Sequence, residues 1–533
     1  MKNIAPNPQS KIPLRFAPGT IVNPPQWLAV AALLAATLLR ALPLMDNRFH
    51  PDEALYATFA RYVASGYGSL LSYLVVDKPP LSFYLNGLSV AVFGGTEFAV
   101  RLPNLYASLI SVALLFALAR RLYDLTTAHL AAWILALSPF PILFSVTAFI
   151  DPLLTTFVLA ALWTASAPIP RPRWTGCLLA LAYATKQTAL LFIPLALALA
   201  LLPLPSETNL RAALRYLIRF ALPIVAGLIL VTIALLIWDA ARHAPIGMWA
   251  QGYSDNAPGR FIRAAEVWPR AQAWLDWLQY FTASSSLNLL FLLTLPLLLA
   301  VDLLHPSRAA LADFILAGYL LLHLAGYWLL AFNIWDRYLL PVLPLFVLFL
   351  ARVTRLITLT VRTTARQLLR IKSNDPGDTL LWKLRVLIPL YFLFPAILLL
   401  PILPPALTAA RSGYPVGGDH GAYDGIDDVA RFVHTLPPEG VLYDHWLSWE
   451  FNFYLFDRPL YISWFPTPDA LATDLKSFGH ASPRYIVVPT WESNAEVRAA
   501  AAQAGFAFIP IHTAFRRDGA TSFVVYQLVP QSQ

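Results

Sequence analysis

WLAVAALLAATLLRALPLM, residues 27–45, is followed at once by DNRFHPDEALY, residues 46–56. The first run is about as long as a helix needs to cross a bilayer core, roughly 20 apolar residues. The second is polar and carries a carboxylate pair behind a proline. Apolar stretches recur at 99–119, 128–149, 152–167, 176–185, 187–203, 220–238, 287–304, 313–332, 338–350 and 386–405. Together with residues 27–45 they give eleven candidate spans, and the two flanking Lys186 are the shortest. Composition agrees. Of 533 residues, 58% are hydrophobic and only 13% charged, against roughly a quarter charged in soluble proteins. So few charges cannot coat a body of this size, which excludes soluble, disordered and nucleic-acid-binding classes for the chain as a whole. The 44 prolines and 16 tryptophans fit membrane spans and their interfaces. The single cysteine, Cys177, excludes an internal disulfide and a cysteine-built metal site.

The fold class expected is a polytopic α-helical membrane protein of about 11 spans with a small C-terminal extracytoplasmic α/β domain. Threaded with the N-terminus inside, Lys2, Lys11, Arg15, Arg120, Arg121, Arg171, Arg173, Arg211, Arg215, Arg219 and Arg308 fall in the cytoplasm. The basic stretch 352–385, read as a solvated loop, falls there too. This is the positive-inside pattern, so the net charge of +8 reports orientation and not an anionic partner. Residues 27–45 are long for a signal-peptide core, and no clear cleavage signature follows. From about residue 406 long apolar runs end and Gly, Asp, His and Glu return, which divides the chain into 1–405 and 406–533. The second part alternates helix-like segments (427–436, 469–478, 496–504) with strand-like ones (441–443, 460–464, 485–488, 506–511, 522–528).

The same threading sends a set of ionisable residues to the outer face: His50, Asp52, Glu53, Asp77, Lys78, Arg101, Asp151, Lys186, Asp336 and Arg337, with Tyr56 and Tyr338 beside them. Charge at membrane depth is costly, so convergence at one level suggests a site. Lysine and arginine near carboxylates suit a phosphate bound beside a general base. Blander readings stand for single members. Asp52 and Glu53 fit the acidic first turn of an interfacial helix begun by Pro51. Lys78 fits a snorkelling lysine, Arg101 an anchor, and His50 an interface residue without a metal cluster around it.

At these residues the chain resembles the GT-C membrane glycosyltransferases, in particular the protein O-mannosyltransferase and aminoarabinose (lipid A) transferase group. The matching pieces are His-Pro-Asp-Glu-Ala-Leu-Tyr at 50–56, Lys-Pro-Pro-Leu at 78–81, Arg-Leu-Pro at 101–103 and Asp-Pro-Leu-Leu at 151–154. Lys186 between two short spans and Arg-Tyr-Leu-Leu-Pro at 337–341 complete them. Gln187-Thr188 depart from the Gly-Pro expected after the lysine. The resemblance implies a plasma-membrane enzyme of the cell envelope that moves a sugar from a polyprenyl-phosphate donor to a lipid, glycan or protein hydroxyl, with inversion. Asp52 is then the catalytic base and Glu53 the second candidate. Lys78, Lys186 and Arg337 hold the donor phosphate, and His50, Tyr56, Arg101, Asp151 and Tyr338 support the site. A divalent metal could bridge carboxylate and phosphate, though nothing in the sequence obliges one. The rival reading is a transporter or flippase, which would put its polar residues near the midplane and show inverted repeats.

Overall fold

The computed structural model describes residues 26–205, 207–372, 395–397, 399–457 and 460–531. Lys2, Lys11 and Arg15 of the tail, residues 373–385 of the basic stretch and 386–394 of the last expected span lie outside the described residues. Six helices are long and apolar enough to cross a membrane: Trp27–Met45, Glu97–Leu122, Leu210–Ala241, Ser285–Leu304, Arg308–Leu329 and Leu343–Val361. A bent pair makes up to seven, and further apolar helices are shorter. The chain is a multi-pass helical membrane protein. Its elements in order are α1 (Trp27–Ala41), α2 (Pro51–Ser65), α3 (Leu81–Phe93), α4 (Glu97–Leu122), α5 (Leu125–Leu137), α6 (Pro139–Ser145), α7 (Asp151–Ala165) and α8 (Pro172–Thr185). They continue as α9 (Ile193–Ala200), α10 (Leu210–Ala241), α11 (Met248–Asn256), α12 (Val267–Leu278), α13 (Ser285–Leu304), α14 (Arg308–Leu329) and α15 (Leu343–Lys372).

Two sequence expectations are corrected. Residues 128–149, read as one span, are two helices bent by 57° at Ser138–Pro139. Proline has no N–H for the carbonyl four residues back, here that of Leu135. Arg40 of α1 replaces the missing donors: it is fully buried, and its Nη2 reaches Leu135 O at 3.0 Å, its Nη1 Ala136 O at 2.9 Å and its Nε Ser108 Oγ at 2.9 Å. No acidic side chain pairs with it among the described residues. The second correction concerns the basic stretch from 352, which is helix as far as Lys372. Arg352 does not end the span because it has partners. Its Nε lies 3.1 Å from Asp313 of α14 and its Nη2 3.6 Å from Asp302 of α13, so its charge is buried against acids.

Close crossing elsewhere depends on small residues. At Gly176 of α8 a Cβ would come within 2.5 Å of Pro223 O of α10, so these helices meet backbone to backbone. The outward face of α10 stays apolar and exposed, with Leu230 and Ile237 among its residues, as a lipid-facing helix requires.

The C-terminal part holds a five-stranded sheet in the order β2-β1-β3-β5-β4, from β1 (Val441–Asp444), β2 (Tyr461–Trp464), β3 (Arg484–Pro489), β4 (Phe506–Phe515) and β5 (Thr521–Pro530). The first three strands run parallel, and β5 and β4 add antiparallel. The two-residue period divides β1 and β3 between two cores. Leu442, Tyr485 and Val487 pack toward the helices Ile426–Val433 and Ser448–Tyr454. Tyr443, Ile486 and Val488 pack toward Pro468–Phe478 and Ala495–Gln503. The Ser448–Tyr454 helix, absent from the sequence reading, seats on α2: Phe453 joins Phe49, Ala54 and Ala57 in one apolar cluster. Arg61 of α2 donates to Phe453 O at 2.8 Å and pairs with Asp457. Arg48 binds Glu97 at 2.6 Å, and Tyr454 donates to the same carboxylate at 2.9 Å.

Arg40→Leu should therefore lower stability by about 2–4 kcal/mol, because two buried carbonyls lose their donors. Denaturant titration of the purified variant in detergent checks this, and wild-type stability would show that the break does not depend on Arg40.

Candidate active site

The site begins at the first turn of α2. Pro51 occupies the first helical position, where its fixed φ and missing N–H suit the helix. His50 ahead of it is extended, its Nδ1 accepting from Asp52 N at 3.2 Å, while Glu53 accepts from His50 N at 3.2 Å. This reciprocal cap fixes which way each acid points. Glu53 turns inward and is fully buried; its Oε1 accepts from Ala148 N at 2.8 Å and from Arg101 Nε at 3.3 Å. Arg101 in turn donates to Asn47 O at 2.7 Å and Arg48 O at 2.9 Å, and its guanidinium lies over Phe49, 4.8 Å from the ring centre. Glu53 and Arg101 are thus occupied with holding the loop before α2.

Asp52, next in line but about 100° away around the helix, faces the other direction. Its Oδ2 lies 2.5 Å from Arg337 Nη1. Arg337 stands in the short turn Asp336–Leu339, with Phe149 and Trp335 at 5.1 and 5.2 Å from its guanidinium carbon. Asp336 anchors that turn by accepting from Arg337 N at 2.7 Å and from Gly417 N at 2.9 Å. Burial pushes the Asp52 carboxyl up, but the Arg337 guanidinium outweighs it and holds the group below its ordinary value. Burial also lowers His50, which stays neutral at pH 7.

Two further pairs lie alongside. Lys186 is the single extended residue between α8 and the 3₁₀ turn Gln187–Phe192. Its Nζ reaches Asp151 Oδ1 at 2.6 Å and sits 4.8 Å from the Tyr338 ring centre. Lys78 pairs with its neighbour Asp77. Tyr56 stacks on Phe83 at 5.3 Å and lies within electrostatic reach of Asp52, Asp77, Asp151 and Arg337. Lys186 likewise senses Arg337 and Lys78. The structure therefore gathers Asp52, Lys78, Asp151, Lys186, Arg337, Tyr56 and Tyr338, with Glu53, Arg101 and His50 as the frame beneath.

Each of the three cations enters with its own carboxylate, and for Lys186 and Arg337 chain order did not reveal which. An arriving anion must take a cation from its partner. Among the described residues no group of three or more His, Cys, Asp or Glu could hold a metal ion. Nothing in the chain order marks the segment 417–420 as part of this site. At Gly418 a Cβ would lie 3.0 Å from Glu53 Oε2, so this loop crosses directly over the start of α2.

Comparison with known proteins places this arrangement. Residues 77–241 match the family model of dolichyl-phosphate-mannose-protein mannosyltransferases. A putative mannosyltransferase of Bacillus subtilis is 31% identical over 123 residues, covering 23% of this chain and 16% of that protein. Undecaprenyl phosphate-alpha-4-amino-4-deoxy-L-arabinose arabinosyl transferase 2 of Proteus mirabilis is 30% identical over 182 residues, 31% of this chain and 33% of the relative. The chain thus spans a third or less of the length of these curated relatives. Among solved structures, ArnT from Cupriavidus metallidurans bound to undecaprenyl phosphate superimposes with a TM-score of 0.60 at 15% identity, over 94% of this chain and 98% of that one. The Archaeoglobus fulgidus oligosaccharyltransferase in the apo form gives 0.51 at 11% identity, over 93% and 74%. These findings bear out the resemblance drawn from the motifs. The chain shares its fold with these ArnT and oligosaccharyltransferase structures over more than nine-tenths of its length, and within it residues 77–241 are similar to the mannosyltransferase family.

The two adjacent acids should separate cleanly. Glu53→Ala leaves Arg101 buried without its carboxylate and should cost about 3–5 kcal/mol of stability. Asp52→Asn should change stability by less than about 1 kcal/mol, since Asp52 is partly exposed. Thermal unfolding of the purified variants measures both, and equal losses would contradict the division of roles.

Proposed function

We propose that this protein is a glycosyltransferase that moves a sugar from a polyprenyl-phosphate donor to a hydroxyl of a lipid, glycan or protein acceptor on the outer face of the membrane. The observation that carries the reading is the Asp52–Arg337 pair at 2.5 Å, flanked by Lys186–Asp151 and Lys78–Asp77. A carboxylate thus stands beside cations, in a fold shared with a structure that holds undecaprenyl phosphate. A transporter would set its polar groups at the midplane. Here they gather at the ends of helices beside an attached C-terminal sheet.

Transfer is a single displacement with inversion. The acceptor oxygen attacks the anomeric carbon, the bond from that carbon to the phosphate oxygen breaks, and the acceptor proton passes to Asp52 Oδ. Asp52 is the base because Glu53 has its oxygens engaged in the frame. While Arg337 holds it, Asp52 is ionised at neutral pH but a weak base. Donor phosphate competes for the guanidinium, and as Arg337 turns to the phosphate the carboxylate regains basicity. Arg337 suits that exchange, since its planar fork can hold two phosphate oxygens. The leaving phosphate gains charge in the transition state, so Arg337, Lys186 and Lys78 stabilise that state more than the ground state.

Purified protein given a polyprenyl-phosphate-linked sugar and acceptor should release polyprenyl phosphate; no release from any donor in a sugar panel sinks the reading. Asp52→Asn should lower turnover by about 10²–10⁴-fold with insertion intact. Arg337→Ala should lower kcat and kcat/KM together, the latter by about 2–4 kcal/mol. It should also move the acid limb of the kcat/KM profile to higher pH, because removing the cation lets the Asp52 pKa rise. Unchanged specific activity in Arg337→Ala, Lys186→Ala and Lys78→Ala would mean that the phosphate binds elsewhere. For orientation, single cysteines at Ser412 and Thr363 in a Cys177-free background should label from opposite sides. Labelling from one side would refute the threading.

A further inference from the structure

We propose that the C-terminal part carries a polar subsite for sugar hydroxyls above the start of α2, built from Glu450, Asp419 and His420. The inference rests on the sugar-transfer reading and adds the recognition of the sugar itself. Glu450 lies on the Ser448–Tyr454 helix, three and four residues before Phe453 and Tyr454. Residues at that spacing share a helix face. Phe453 and Tyr454 meet Phe49 at 4.8 and 6.1 Å between ring centres, so Glu450 looks toward the segment from Phe49 to Asp52. It is 1% exposed, and its Oε1 has no hydrogen-bond partner among the described residues.

The second segment arrives from another direction. Gly417 N is tied to Asp336, and Gly418 lies against Glu53. The next two residues are therefore held over the same helix start. Asp419 is 7% exposed; its Oδ2 accepts from Tyr423 N at 3.0 Å and its Oδ1 has no partner among the described residues. His420 is fixed by Nδ1 at 3.3 Å from Ser412 O, and its buried Nε2 has no partner among the described residues. Asp419 senses Glu53 and Arg101, His420 senses His50, and Glu450 senses Asp52 and Asp419.

Leaving a buried polar atom unpaired is costly, and polar atoms of this kind on two segments held around the start of α2 are available to a ligand that supplies their partners. Their chemistry selects the ligand. Burial pushes the Glu450 carboxyl up to about 8, so it carries a proton at neutral pH, and burial keeps His420 neutral. A protonated carboxyl offers both a donor and an acceptor, and His420, whose Nδ1 donates to Ser412 O, presents Nε2 as an acceptor. The hydroxyls of a sugar offer the same pair, whereas a phosphate would demand cations. Those hydroxyls belong either to the donor sugar or to a glycan acceptor.

The test is equilibrium binding to the full chain in lipid nanodiscs, followed by tryptophan fluorescence. The probes are undecaprenyl phosphate, its mannosyl and 4-amino-4-deoxyarabinosyl esters, and methyl α-mannoside as a lipid-free glycan. Wild type is compared with Glu450→Ala, the isosteric Glu450→Gln and Asp419→Asn. If the donor sugar occupies the subsite, Glu450→Ala and Asp419→Asn should bind a sugar-bearing lipid roughly tenfold more weakly. Glu450→Gln, which keeps a donor and an acceptor, should bind it as wild type does, and undecaprenyl phosphate should bind unchanged to all three. If an acceptor glycan occupies it, methyl α-mannoside binding falls while every lipid binds as in wild type. Identical affinities for all probes in a folded Asp419→Asn and a folded Glu450→Ala overturn the subsite, and Asp419→Asn decides it alone should Glu450→Ala fail to fold. Equal weakening of undecaprenyl phosphate overturns it too, because the effect would then be on the phosphate or the fold. Failure of wild type to bind any of the lipids tells against the donor reading, and the methyl α-mannoside arm still decides the subsite.

Discussion

One buried carboxylate organises the centre of this molecule. Glu53 caps α2 through His50 N, receives the backbone of Ala148 after the α5–α6 break, and neutralises Arg101 of α4, whose guanidinium gathers the carbonyls before α2. Three separate stretches of chain meet at its two oxygens, and the Gly418 loop closes over them. An isolated charge at that depth would be prohibitive. With three donors directed at its two oxygens, burial becomes a constraint on geometry. Asp52 has its direction because Glu53 has spent all of its freedom.

The membrane part was readable because hydropathy reports the solvent, and the solvent here is lipid over most of the surface. Apolar length located the helices, while charge at their ends singled out the residues that the structure brings together as a candidate site. The break at Pro139 escaped because an apolar stretch looks continuous whether or not its hydrogen bonds are; only the donor on α1, Arg40, distinguishes the two cases. The helix through Arg352 escaped for a related reason. A basic residue ends a span unless acids on neighbouring helices meet it, and neither Asp302 nor Asp313 is near it in sequence. The strands of the C-terminal sheet were legible from their two-residue period and β-branched content. The Ser448–Tyr454 helix was not, since seven residues carry too little pattern.

Within the candidate site, residue types were legible and partnerships were not. Lys78 sits beside its acid in sequence, but Lys186 and Arg337 find theirs 35 and 285 positions away. Sequence also separated the adjacent acids only in principle, as two directions on a helix. Which direction faced the cations depended on the cap at His50 and on where Arg101 had been placed by α4. The contribution of the loop 417–420 was hidden for a different reason: Gly and Asp in series describe a turn equally well wherever that turn lands.

The pairing of three cations with three carboxylates has a consequence beyond the contact distances. Seen from more than about a Debye length, 8–10 Å at ordinary ionic strength, the cluster is close to electrically silent. It projects little field to draw a charged headgroup through the membrane interface, so electrostatic steering contributes little to the encounter rate. On the proposed reading, a lipid-linked donor reaches the cluster by lateral diffusion in the bilayer plane and breaks into ion pairs at close range. Capture should therefore depend weakly on added salt, and selectivity should lie in residence time.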